Sequence, residues 1–175
     1  MPQNNLSLYS ISIPALIRGL ENVSVWLTKA EVSAKERGFD SSNYLGMRLA
    51  PDQFPFVKQV QLVSDIAKST AAKIAGIEVP KMEDNEKTIT ELQERMTKTI
   101  AFVKTISKEQ VDGGEDRKIA VPYMDGKYLF ASEYVEQFAL PNFYFHVTLS
   151  YELLRHAGVA LGKRDFLTGL ALKDM

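Results

Sequence analysis

Four stretches of the chain place apolar side chains three and four residues apart, the spacing that puts them on one helical stripe. Leu16, Leu20, Val23, Leu27, Ala30 and Ala34 predict a first helix over residues 14 to 37, with Gly38 as its stop. Pro14 suits a first turn, where its missing N–H would be unpaired anyway. The other start is near Ser7, with a kink at Pro14. Phe56, Val60, Val63, Ala67, Thr70 and Ile74 predict a second helix that begins after Pro55 and ends at Ala75, before Gly76. Leu92, Met96, Thr99, Val103 and Ile106 form a third stripe, opened by a capping box of Thr88 and Glu91. Glu91 with Arg95 and Glu94 with Lys98 stand at i,i+4, which predicts a solvated outer face for this helix. Phe143, Val147, Ser150 and Leu154 form the fourth stripe, which Gly158 closes.

Between the third and fourth stripes the period changes. Gly113 and Gly114 mark a flexible segment, and residues 119 to 131 read as a β-hairpin turning at Asp125-Gly126. A two-residue turn sets Tyr123 against Tyr128 and Val121 against Phe130, but leaves Pro122 at a hydrogen-bonded pair without a donor. A longer turn or an edge position relieves that conflict. Ser132 is the candidate cap of the last helical region, and Pro141 either kinks it or divides it into two segments. Leu161 and Phe166 are the residues by which the tail docks. Four amphipathic helices with matching seams predict an all-α fold, a four-helix bundle with a small β-hairpin inserted before the last helix, in a single domain over residues 1 to 175.

Composition narrows the function more than it names it. With 21 Lys and Arg against 22 Asp and Glu, the net charge of -1 supports neither a nucleic-acid surface nor a polybasic membrane patch. No cysteine is present, so disulfides, thiolate nucleophiles and Cys-ligated zinc are excluded. No apolar run approaches the ~20 residues that span a bilayer, and no signal peptide is evident, so a cytoplasmic location is expected.

Candidate chemistry centres on one histidine. His146 and His156 lie ~15 Å apart along a helix axis and face different directions, so they cannot share a metal. His156 reads as a surface residue near a helix C-terminus. His146 borders the core stripe, with Asn142 and Ser150 one turn to either side, and Gln59 borders the second-helix seam at a similar offset. The histidine is either half-buried with its ring nitrogens hydrogen-bonded, or a ligand or proton carrier at the mouth of the bundle. Asp65 lies opposite its helix's seam and is expected in solvent, and the other carboxylates mostly take outer faces. Phe138, Phe145 and Leu149 form a second apolar stripe on the last helix, to be covered by the hairpin or tail, or else by a second subunit.

The segments PALIRGLEN from Pro14, LAPDQFPF from Leu49, FALPNFYFHVT from Phe138, LRHAGV from Leu154 and LGKRDFL from Leu161 resemble a bacterial family of unknown function within the DinB/YfiT-like superfamily. The resemblance covers nearly the whole chain. It implies a DinB-like four-helix bundle that assembles as a homodimer. In many members of that superfamily a divalent metal sits on three histidines, one from the second helix and an H-x-x-x-H pair on the last, and some use low-molecular-weight thiols as co-substrates. Here His146 matches the first histidine of the pair, Ser150 stands in place of the second, and the second helix has no histidine. A hydroxyl is a poor divalent-metal ligand at neutral pH. The expectation is therefore a metal-free bundle with no cofactor, binding a small apolar or amphipathic ligand near Gln59, Asn142, His146 and Ser150. The alternatives are a zinc- or nickel-dependent enzyme, a thiol-dependent transferase or isomerase holding its metal through His146, and a structural or protein-interaction module.

Overall fold

The computed structural model describes residues 6–121 and 123–174. Helix α1 (Leu8–Glu36) starts at the earlier of the two expected positions. Ser7 and Ser10 cap each other reciprocally, Ser7 Oγ accepting from the Ser10 amide and Ser10 Oγ from the Ser7 amide. That cap outweighs the interior Pro14, whose cost is limited to the first two turns. Helices α2 (Phe56–Ala75) and α3 (Ile89–Val103) follow, and α3 opens on the expected Thr88–Glu91 box. Gly76 ends α2 at φ 71°, a left-handed conformation that lets the Ile77 amide reach back to Ala72 O.

A one-turn helix α4 (Lys108–Val111) leads into strands β1 (Lys118–Ala120) and β2 (Tyr128–Phe130). The strands pair antiparallel as Lys118↔Phe130, Ile119↔Leu129 and Ala120↔Tyr128. Of the alternatives left open for the hairpin, the two-residue register is not the one formed. The turn is longer, closed by the Val121 amide on Lys127 O, with Tyr123 at φ 65° and Gly126 at φ 71° supplying the reversal. Pro122, the residue that argued against the tight turn, lies outside the described residues.

The last helical region is continuous but not uniform. A short α5 (Ala131–Glu133) enters a π-helical turn over Tyr134–Ala139, in which the Leu140 amide bonds to Val135 O, and α6 (Leu140–His156) follows with Pro141 in its first turn. The wider turn sits immediately before the proline, where a regular α-helix would drive the ring into a carbonyl. Ser132 falls inside α5 and does not cap it; its amide bonds to Glu115 O instead.

Helices α1 and α2 each pack on both α3 and α6, so the order around the bundle is α1, α3, α2, α6. The seam residues of all four stripes meet in one core, with Trp26, Phe56 and Phe143 its largest fully buried side chains. Where α1 crosses α6, Gly19 allows a close approach: a Cβ there would lie 2.5 Å from Cε1 of Phe143. Gly19→Ala should therefore destabilise the bundle by about 1–3 kcal/mol, although alanine is the better helix former by ~1 kcal/mol. Urea unfolding of the single variant and of a Gly19→Ala/Phe143→Leu double variant checks this. The double variant should recover part of the loss, since the two side chains compete for one space.

The tail docks as expected and does so across α1 and α6. Leu161 is buried, and a one-turn helix α7 (Lys163–Phe166) brings the Phe166 ring onto Trp26 at 5.7 Å and Tyr151 at 5.9 Å. Trp26 Nε1 donates to Asp165 O, Asn22 Nδ2 to Phe166 O, and Lys29 pairs with Asp165. Of the second stripe of the last helix, Leu149 is partly buried. Phe138 is partly buried against Tyr134, while Phe145 stays 58% exposed.

Candidate functional site

Of the four candidate residues, the structure joins the side chains of two directly. His146 Nδ1 and Gln59 Oε1 are 2.7 Å apart, and both side chains are buried, at 8% and 1% exposure. The amide of Gln59 has a defined orientation, because its Nε2 donates to Phe54 O, which can only accept. Its oxygen therefore faces the imidazole. The proton sits on Nδ1, and Nε2 keeps its lone pair. Burial lowers the His146 pKa, which favours this neutral form.

Ser150 is fully buried, and its hydroxyl donates to His146 O one turn back. Such a bond to the i−4 carbonyl satisfies the hydroxyl within its own helix. The donor set near His146 is thus one imidazole, one amide oxygen already engaged and one hydroxyl turned to backbone. These residues do not fit a three-histidine divalent-metal centre. Among the described residues there is no group of three or more His, Asp or Glu side chains placed to hold a metal ion.

Asn142 lies elsewhere, half-buried in a cleft of about 200 Å³ between α2 and the last helical region. Leu62, Asp65, Ile66, Ser69 and Lys73 line one wall, Tyr134, Phe138 and Asn142 the other, and Tyr123 of the hairpin turn also borders it. Lys73 holds its Nζ 5.5 Å from the centre of the Tyr134 ring and makes no ion pair among the described residues. Burial lowers the Lys73 pKa and raises that of Tyr134. Residues 62, 66, 69 and 73 repeat the four, three, four spacing of the seam beside them. That second row was the available signal for the cleft, and sequence reasoning passed over it.

A third cluster corrects two expectations. Arg95 is 2% exposed, and neither of the predicted i,i+4 pairs of α3 closes among the described residues. Glu91 instead accepts from the Lys87 and Thr88 amides. Arg95 Nη2 reaches Asp65 at 2.7 Å and Asp84 at 2.9 Å, and its Nη1 reaches Glu86 at 2.8 Å. Lys68 on Asp65 and Lys58 on Asp84 complete a network of three cations and three carboxylates. Asp65 is accordingly half-buried and paired, not free in solvent. The segment between α2 and α3 supplies Asp84 and Glu86, so a contact distant in sequence overrides the local charge pattern.

No helix of the described residues is long and apolar enough to cross a membrane. The chain matches, over residues 8–167, the family described as a domain of unknown function, DUF1993. Its fold is similar to the crystal structure of a DinB family member protein from Shewanella denitrificans, with a TM-score of 0.90 and 34% identity over 96% of each chain. No curated protein matches it. With a DinB-like fold along nearly its full length and a family match from Leu8 to Leu167, this chain belongs to the DUF1993 family.

Proposed function

We propose that this DinB-like bundle binds a small amphipathic molecule without a resident metal, in the cleft between α2 and the last helical region. The observation that carries the reading is the cleft's make-up. Apolar and aromatic side chains from Leu62, Ile66, Tyr134 and Phe138 surround a few polar groups from Asp65, Ser69, Lys73 and Asn142, the composition common to small-molecule sites. Gln59 and His146 do not line the cleft and hold each other as a satisfied buried pair.

A 15N-labelled sample titrated with 3-phenylpropan-1-ol tests this. Amide shifts should cluster at Leu62, Ile66, Phe138 and Asn142 and should be unchanged by EDTA. Phe138→Ala should weaken binding by about 1 kcal/mol, roughly fivefold, through lost apolar contact. Shifts confined to the surroundings of His146, or abolished by EDTA, would overturn the reading.

One observation favours the metal-dependent alternative. The Gln59 bond leaves the Nε2 lone pair of His146 available, as in metal-bound histidines held by an outer hydrogen bond. That alternative needs two further ligands, which neither Gln59 Oε1 nor Ser150 Oγ supplies in its present bonding.

A further inference from the structure

Resting on the cleft reading, we infer that the ligand class is a small carboxylate with an apolar or aromatic body, its head group held by the Lys73 ammonium and its body laid along Ile66, Tyr134 and Phe138. Three features of the molecule support this. First, Lys73 carries a charge at the edge of a mostly apolar cleft, with no carboxylate partner among the described residues. The one acidic side chain lining the same cleft, Asp65, is already engaged by Lys68 and Arg95. Second, a half-buried ammonium over a ring face has exchanged water for a cation–π contact only, so an anionic oxygen would add a charge-assisted hydrogen bond that the free protein lacks. Third, the stacked pair Tyr134 and Phe138, with centroids 5.6 Å apart, presents aromatic surface beside the ammonium, so one ligand can meet both ends of the cleft at once.

The contrast with the Arg95 cluster selects this cation over the others nearby. Arg95, Lys58 and Lys68 are matched by Asp65, Asp84 and Glu86, which leaves no charge there for an anionic ligand to neutralise. The cleft is smaller than a typical drug-sized site of ~300–1,000 Å³, which points to a ligand of single-ring size.

The test compares 3-phenylpropionate with 3-phenylpropan-1-ol, which share a skeleton and differ in the charged head. In wild-type protein the carboxylate should bind about tenfold tighter, the effect of a partly screened charge-assisted hydrogen bond. Lys73→Met should abolish that preference, bringing the carboxylate's affinity down to that of the alcohol on the same variant, and Lys73→Arg should retain it. Retained alcohol binding in Lys73→Met also shows that the variant is folded. Equal binding of both probes to wild type, with shifts in the cleft, would overturn the carboxylate assignment while leaving the cleft reading intact. Binding of neither probe would overturn both. A preference that survives in Lys73→Met would place the anion elsewhere and overturn the inference, as would a change in sedimentation with no change in probe binding, which would make the cleft a contact between copies.

Discussion

Arg95→Met should be among the most damaging single substitutions in this protein, costing about 3 kcal/mol or more in urea unfolding. The guanidinium is buried and holds Asp65, Asp84 and Glu86 together, and breaking a buried ion network from one side costs ~3–5 kcal/mol because the other charges remain. Asp65 and Asp84 are about one-third exposed, so water recovers part of their loss and the lower end of that range applies. Arg95 Nε has no hydrogen-bond partner, so methionine sacrifices nothing at that atom. Asp84→Asn removes one exposed partner only and should cost ~1 kcal/mol or less.

The same network fixes a pH dependence. Burial alone would raise the Asp84 pKa, but the Lys58 hydrogen bond and the Arg95 and Lys58 charges more than offset it and leave it lowered. Glu86 is likewise lowered, burial being outweighed by its bonds from Arg95 and Gln61. A folded-state pKa below the unfolded one means that the unfolded chain binds protons first as pH falls. This part of the stability is complete above the ordinary carboxylate range of about 4 and is lost as pH falls through the lower folded values. Melting temperatures of wild type should therefore drop on acidification below pH ~5, and Arg95→Met should show a smaller drop. An equal drop in both would contradict the role given to Arg95.

Trp26→Ala should be comparably severe, at about 3–5 kcal/mol, the usual cost of emptying a large aromatic site in a packed core. Trp26 is fully buried, meets Tyr151 edge-on at 5.5 Å, stacks on Phe166 and donates to Asp165 O. It is therefore both a core residue and the seat of the tail. Hydrogen exchange should accelerate in α7 before the rest of the molecule, because α7 itself contains no buried residue and depends on α1 for its position. Trp26→Phe keeps an aromatic ring but loses the indole N–H, and should cost about 1–2 kcal/mol. A loss below 1 kcal/mol in Trp26→Ala would mean that the tail is not seated there.

The helices were legible because their signals are local. The seams of α2 and α3 mark the core faces, and Thr88 with Glu91 and Gly76 mark boundaries through backbone bonds within a few residues. The π turn before Pro141 was only half legible. Proline announces an interruption, but whether the chain kinks, breaks or widens by one residue depends on what packs around Tyr134 and Val135. Arg95 was misread for an instructive reason. It lies three residues after Leu92 and four before Thr99, on the buried side, yet its charge and the glutamate one turn earlier argued for solvent. The carboxylates that make burial tolerable come from another helix and from the connection after it.

The candidate site divides in the same way. Gln59 and His146 were picked out by their offsets from two seams, and the bundle joins them in one hydrogen bond. Asn142 shares the helix face of His146 in a regular wheel but opens onto a separate cleft. Lys73 stayed hidden because a lysine beside a seam usually extends into solvent. Only the arrival of Tyr134 and Phe138 from the last helical region turns its stem and head into cleft wall.

The most direct measurement of the central claim, that this bundle works without a resident divalent metal, is elemental analysis of wild type and His146→Ala after zinc and nickel loading and gel filtration. The account predicts far less than one metal per chain in both proteins, and no difference between them. Close to one zinc or nickel per wild-type chain, lost in His146→Ala, would contradict it and make His146 Nε2 the anchor of a metal centre.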